Sequence, residues 1–160
     1  MSTQADFDFL IGSWAISHRR LKHRLAGSTE WEVFDGAATC RKILNGIGNF
    51  DENYLELPGG SYHAMSLRTF DSTRKEWSIW WLDGRNPGAL DPPVKGYFAD
   101  GLGTFLADDT FAGKAIKVRF RWDSRDESAP RWEQAFSPDE GVTWETNWIM
   151  EFRRLADSST

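Results

Sequence analysis

The side chains able to do chemistry are few in this chain, and their spacing limits what they can do. Three histidines are present, His18, His23 and His63. His18 and His23 stand an odd number of residues apart, which on one strand sends them to opposite faces and prevents them from sharing a metal ion. His63 falls on another strand in unknown register, so a three-ligand zinc site has little support. Cys40 is the single cysteine; no activating partner is identifiable for it, and it excludes an intramolecular disulfide framework. The chain has no G-x-S-x-G elbow, no H-E-x-x-H pair and no phosphate-cradling glycine loop after a strand. His18 is the group of interest. It alternates with Trp14, Ile16 and Arg20, so an inward Trp14 brings His18 and Arg20 inward as well. There His18 is a hydrogen-bonded structural group, a proton shuttle near neutral pH, or a ligand to haem iron. An inward Arg20 needs an anion, for which Asp83, Glu133 or a ligand carboxylate qualify; otherwise it lies at a wet mouth.

The elements that would position these groups are strands. The clearest alternation runs through Arg131–Arg154, two strands joined by the turn Ser137-Pro138-Asp139-Glu140-Gly141. Trp132, Gln134 and Phe136 share one face of the first strand. Trp144, Thr146, Trp148, Met150 and Phe152 share a face of the second, with Asn147 and Glu133 pointing out unless a bulge reverses them. Upstream, a helical turn over Asp6–Ile11 ends at Gly12, and a first strand starts at Trp14. Further strands are expected over Thr29–Phe34, closed by Asp35-Gly36, over Ala37–Leu44, closed by Asn45-Gly46, and over an irregular, acidic Ile47–Leu57. Tyr62–Phe70, Trp77–Leu82, Val94–Ala99, Thr104–Phe111 and Lys114–Trp122 follow. Asp83–Pro93, with two glycine or proline clusters, is the longest loop, and long ordered loops in small domains are often functional.

Tryptophan occurs on both faces of the sixth expected strand, with Trp77, Ile79, Trp81 and Asp83 opposite Trp80. One aromatic face therefore lies outside, covered by the N-terminal segment or by a second copy in a homodimer. In 160 residues there are 9 Trp and 11 Phe, which favours pleated structure, and the net charge of −5 argues against nucleic acid or anionic lipid as partner. No apolar run reaches membrane-spanning length and the N-terminus lacks a signal-peptide core, so the expectation is a soluble, cytoplasmic protein. One domain is expected over residues 6–154, with polar tails at 1–5 and 155–160. Ten or eleven short strands with tight turns indicate an all-β, up-and-down antiparallel barrel of about ten strands, with a short N-terminal helical turn. Such a barrel is wider than side chains readily fill.

Two stretches carry resemblances. Gly12-Ser13-Trp14 after a helical turn resembles the G-x-W signature of lipocalins and their calycin relatives. In those proteins the Trp closes one barrel end under an Arg from the end of the last strand, a position held here by Arg153 or Arg154. F-D-F-L-I-G-S-W near the start, W-S-I-W-W-L-D in the middle and R-W-E-Q-A-F-S-P-D-E-G-V-T-W-E-T-N-W at the end together resemble an uncharacterised family of lipocalin-like domains. The resemblance implies the calycin barrel and no particular activity. Ser137–Trp144 also fits the Asp-box of sialidases, S-x-D-x-G-x-T-W, which there locks a hairpin turn remote from the chemistry. The chain is too short for a propeller, so a hairpin lock is expected here. Haem-binding barrels of the nitrobindin type have a related fold, although their glycine-rich N-terminal haem motif has no counterpart in this chain.

These features suggest three functions. The first is a binding barrel around a small, mostly apolar, aromatic or carboxylated ligand, with no cofactor. Trp81, Trp122, Trp132 and Trp148 would form its walls, with Asp83, Met150 and the orienting groups His18, Arg20 and Gln134. The second is a cofactor-independent isomerase, cyclase or lyase in the same cavity, with His18 as proton shuttle and Arg20 as anion clamp. The third is a haem barrel ligated by His18 or His63.

Overall fold

Alternating sequence closes on itself here. In the computed structural model, which describes residues 1–156, ten antiparallel strands run in order. They are β1 (Gly12–Leu21), β2 (Trp31–Ile43), β3 (Gly48–Leu55), β4 (Tyr62–Asp71), β5 (Glu76–Asp83), β6 (Val94–Ala99), β7 (Leu102–Phe111), β8 (Lys114–Asp123), β9 (Arg131–Ser137) and β10 (Glu145–Arg154). Each pairs with the next, and β10 returns to β1 from Trp14↔Arg154 to Arg20↔Trp148, so the sheet has no edge. Short 3-10 turns occupy Asp8–Leu10 and Leu44–Gly46. Among the described residues no helix is long and apolar enough to cross a membrane.

Two strands expected on either side of Asp35-Gly36 are one. β2 runs thirteen residues through that dipeptide, with Gly36 between Ile16 and Leu55 in the ladders. The glycine meets a packing need there: a Cβ at Gly36 would come within 2.7 Å of His18 Nε2 and of the Tyr54 carbonyl. By contrast Asp100-Gly101 and Ala112-Gly113 have positive φ at both residues (53° and 79°, 51° and 77°) and make the two-residue hairpins their sequence implies.

The second correction concerns β10. Its pairing with β9 slips between Thr146↔Ala135 and Trp148↔Gln134, leaving Asn147 as a bulge. The face expected to run from Trp144 to Phe152 is therefore split. Trp148, Met150 and Phe152 stay inside, Thr146 pairs with Ala135, which alternates with the inward Trp132 and Gln134, and Trp144 lies under the Arg119 guanidinium at 4.3 Å. Asn147, expected to face out, is wholly buried.

One barrel end is closed by the N-terminal segment. Phe7 meets Trp77 and Phe98 edge-on at 4.8 and 4.9 Å, and Phe9 and Leu10 are buried beside it. The Trp14 indole donates to the Leu10 carbonyl at 2.8 Å. Arg154, not Arg153, lies over Trp14 at 4.2 Å and donates to the Ile11 and Phe9 carbonyls at 2.7 and 2.6 Å. Within residues 1–5, expected as a polar tail, Ser2 is buried and accepts from the Phe98 amide at 3.3 Å. The expected tail at 155–160 lies largely outside the described residues. On β5, Trp77 and Ile79 face in, while Trp80 faces out and is half-buried.

Candidate functional site

Inside the barrel the strands leave a cavity of about 50 Å³. Its aromatic wall comes from alternate positions of β5, β8, β9 and β10. Trp148 meets Trp81 and Trp132 edge-on at 5.8 and 5.4 Å, and Trp122 lies across the ladder from Trp132. Six of the residues expected at the site therefore line one space: Trp81, Trp122, Trp132, Gln134, Trp148 and Met150. At the mouth β5 outruns β6, since only Trp77, Ser78 and Ile79 find partners there. The Gly84–Pro93 loop fills the gap and brings Asp91 to the cavity. The Asp91 residue is exposed overall, yet its carboxyl is pushed above its ordinary value by partial burial, then by Asp109 and Asp83.

Sequence reasoning missed the other half of the lining. Asp51 and Asn53 on β3 and Ser66 and Arg68 on β4 are all buried and border the same cavity. Arg68 gives Nη2 to Asp51 at 2.6 Å and Nη1 to Asn49 at 2.9 Å. Asp51 Oδ1 accepts from the Ser66 amide at 3.2 Å and from Asn53 Nδ2. The guanidinium is packed by Phe7 at 5.3 Å and Trp122 at 5.6 Å, and among the described residues its Nε has no partner. A signal for this set was present: Ser66 and Arg68 share parity with Tyr62, Ala64 and Phe70, and Asn49, Asp51 and Asn53 share it with Leu55. Charged residues in alternation suggest a wet face, and only barrel closure turns this one inward.

His18, Arg20 and Asp83 do not join that cavity lining. His18 is buried and stacks on Phe34 at 4.5 Å and 13°. Its Nδ1 accepts from the Trp148 indole at 3.1 Å, while Nε2 has no partner among the described residues and faces Gly36 closely. An indole only donates, so the proton of this imidazole is on Nε2. Burial, followed by the charge of Arg20, lowers its pKa to about 3. That takes His18 out of the range in which a neutral-pH proton shuttle works. Arg20 lies near Phe34 at 5.7 Å and Trp148 at 5.1 Å, and its Nε is buried with no partner among the described residues. Neither expected carboxylate pairs with it. Asp83 is bound to Arg85 at 2.7 Å, which holds its carboxyl below the usual range, and Glu133 is bound to Arg131 at 2.9 Å.

His23 follows the end of β1 in a loop, and His63 is exposed beside Tyr54 at 5.0 Å on the outer face. Among the described residues no three His, Cys, Asp or Glu side chains gather as a metal set. Burial pushes the Cys40 thiol up to about 11, which leaves it protonated and unreactive. Gln134 donates to Asn147 Oδ1 at 2.9 Å, which fixes both amides at the bulge. The Ser137–Trp144 turn is built as a lock: Asp139 accepts from the Thr143 amide and hydroxyl at 2.8 and 2.6 Å, and Ser137 Oγ accepts from the Gly141 amide at 2.8 Å.

An edgeless meander of ten strands around an aromatic-walled interior, plugged at one end by a short helical turn, is a lipocalin-like barrel. Among solved structures it is similar to an S-type phycobiliprotein lyase from Guillardia theta, with a TM-score of 0.64 over 99% of this chain and 95% of that one. Sequence identity is 9%, so the likeness is one of fold. No protein-family model matches the chain, and no curated protein matches it in sequence.

Proposed function

We propose that the protein is a binding barrel that holds a small, planar, mostly apolar aromatic molecule against the indoles of Trp81, Trp122, Trp132 and Trp148. The observation that carries this reading is the convergence of these four rings, from four strands, on one cavity whose far side is buried and polar. Phe7, Trp77 and Phe98 fill the plugged end, whereas the four indoles, although Trp148 touches Trp81 and Trp132, still leave open space between themselves and Asp51, Asn53 and Ser66. A volume of about 50 Å³ holds a few waters at ~10–15 Å³ each, so the ligand offers one ring to the interior, and entry runs past the Gly84–Pro93 loop. An enzyme working through His18 has less support, because that imidazole is neutral and lies off the cavity lining. The phycobiliprotein lyase shares the barrel alone, and its activity is not carried over.

The test is titration of the protein with a panel of single-ring aromatic compounds, followed through the indole N–H signals in ¹H–¹⁵N spectra. Shifts confined to the four cavity tryptophans, and lost in Trp132→Leu, are expected. Shifts centred instead on the exposed Tyr54 and His63, or none at any indole, would remove the reading.

A further inference from the structure

The polar side of the cavity has a composition that stability does not account for. Arg68 is 3% exposed, Asp51 6%, Asn53 5% and Ser66 7%, so an ion pair and two neutral polar groups are buried together inside the barrel. Burying an ion pair is costly, and apolar replacements of similar volume are often neutral or stabilising. The set is also unfinished. Nη1 and Nη2 of Arg68 are occupied by Asn49 and Asp51, and its Nε, without a partner among the described residues, is sealed from the cavity. Asp51 is occupied on both oxygens, by Arg68, by Asn53 Nδ2 and by the Ser66 amide. Among the described residues the Asn53 carbonyl and the Ser66 hydroxyl make no hydrogen bond, and both residues line the cavity, which leaves an acceptor and a hydroxyl donor for a ligand.

We infer that this floor recognises the head of a neutral, planar ligand that presents a hydrogen-bond donor and acceptor side by side, as the edge of a lactam or other cyclic amide does. The inference rests on the cavity being the ligand site and names what that ligand carries. Charge decides against the alternatives. Arg68 and Asp51 cancel, so a ligand carboxylate would be buried beside Asp51 without compensation, and an ammonium would be buried beside Arg68 in the same way. A purely apolar ring would leave the Asn53 carbonyl and the Ser66 hydroxyl unmet, and sites built to hydrogen-bond reject analogues that lack the group. A lactam carbonyl accepts from the Ser66 hydroxyl, and its N–H donates to the Asn53 carbonyl. The ring itself then lies among Trp122, Trp132 and Trp148.

Three single-ring probes of similar size separate these cases on the full-length protein: 2-pyridone, benzoate and toluene, titrated with tryptophan fluorescence and indole N–H shifts as readouts. At least tenfold tighter binding of 2-pyridone than of either other probe is expected, with shifts at Trp122 and Trp132. In the variant Asn53→Leu with Ser66→Ala, which removes the acceptor and the hydroxyl and leaves the Arg68–Asp51 pair in place, 2-pyridone should lose that advantage while toluene binds as before. Benzoate or toluene binding as tightly as 2-pyridone to the unmodified protein overturns the inference and leaves the cavity a ligand site. Failure of all three probes to bind overturns both. The ranking on the unmodified protein decides even where the variant does not fold.

Discussion

Because the Trp148 indole can only donate, its 3.1 Å bond to Nδ1 holds His18 as the neutral tautomer with its proton on Nε2. The ordinary pKa of 6.5 falls to about 3, first through burial and then through Arg20. In the unfolded chain the same imidazole takes up a proton near pH 6.5. Between those two values the unfolded state holds a proton that the folded state refuses, so stability falls as pH falls through that window and is unaffected by this group above it. Each tenfold change in proton affinity is worth about 1.4 kcal/mol, so the full effect is a few kcal/mol. Two measurements check this: imidazole ¹⁵N shifts should remain those of the neutral tautomer at pH 5, and the urea midpoint should drop less between pH 7 and pH 4 in His18→Gln than in the unmodified protein. An imidazole titrating near 6.5 in the folded protein would contradict the assignment. Alternation from Trp14 sufficed to turn His18 and Arg20 inward. Their partners, Phe34 and Trp148, come from other strands, and no local pattern specifies which ring a buried imidazole will meet. Arg68 and Asp51 escaped notice for the related reason that their parity is visible while the closure that buries it is not.

Among the elements, β2 shows how one dipeptide takes two structures. Asp100-Gly101 turns the chain between β6 and β7 because both residues adopt positive φ and the flanking strands pair directly. Asp35-Gly36 does not turn, because Gly36 sits between β1 and β3 where only a hydrogen fits under the His18 ring. Gly36→Ala should therefore cost about 1–3 kcal/mol by overpacking, whereas Gly59→Ala, at an exposed turn with nothing within 4 Å of the new methyl, should stay within about 0.5 kcal/mol of the unmodified protein. Urea unfolding of the two variants side by side measures the difference, and equal effects would mean that the His18 ring and the Tyr54 carbonyl both give way. Most hairpins were readable from their turn residues, and so was the lock at Ser137–Trp144. The bulge at Asn147 was not, because a bulge is a property of two strands, and the Gln134–Asn147 amide pair found there joins them across the ladder.

At the scale of the whole molecule, closure depends on the two ends of the chain meeting. β1 pairs with β10, Arg154 covers Trp14 and binds the carbonyls of Phe9 and Ile11, and the segment those carbonyls belong to carries Phe7 into the barrel end. Phe7 in turn packs on Trp77 from β5, Phe98 from β6 and the Arg68 guanidinium from β4, so the plug ties both halves of the meander to the floor of the cavity. No run of strands within the barrel has a second core to fall back on, and residues 6–154 should behave as one cooperative unit. Phe7→Ala removes the shared contact. A loss of about 3–5 kcal/mol is expected, from the transfer of the ring and from the cavity left beneath Arg68. That loss should lower the stability of the whole barrel without splitting its transition, so tryptophan fluorescence and far-ultraviolet circular dichroism should still report the same midpoint in urea. Midpoints that separate in Phe7→Ala would show that the plugged end can open while the Trp132–Trp148 side stays folded, and the barrel would then consist of two cooperative parts.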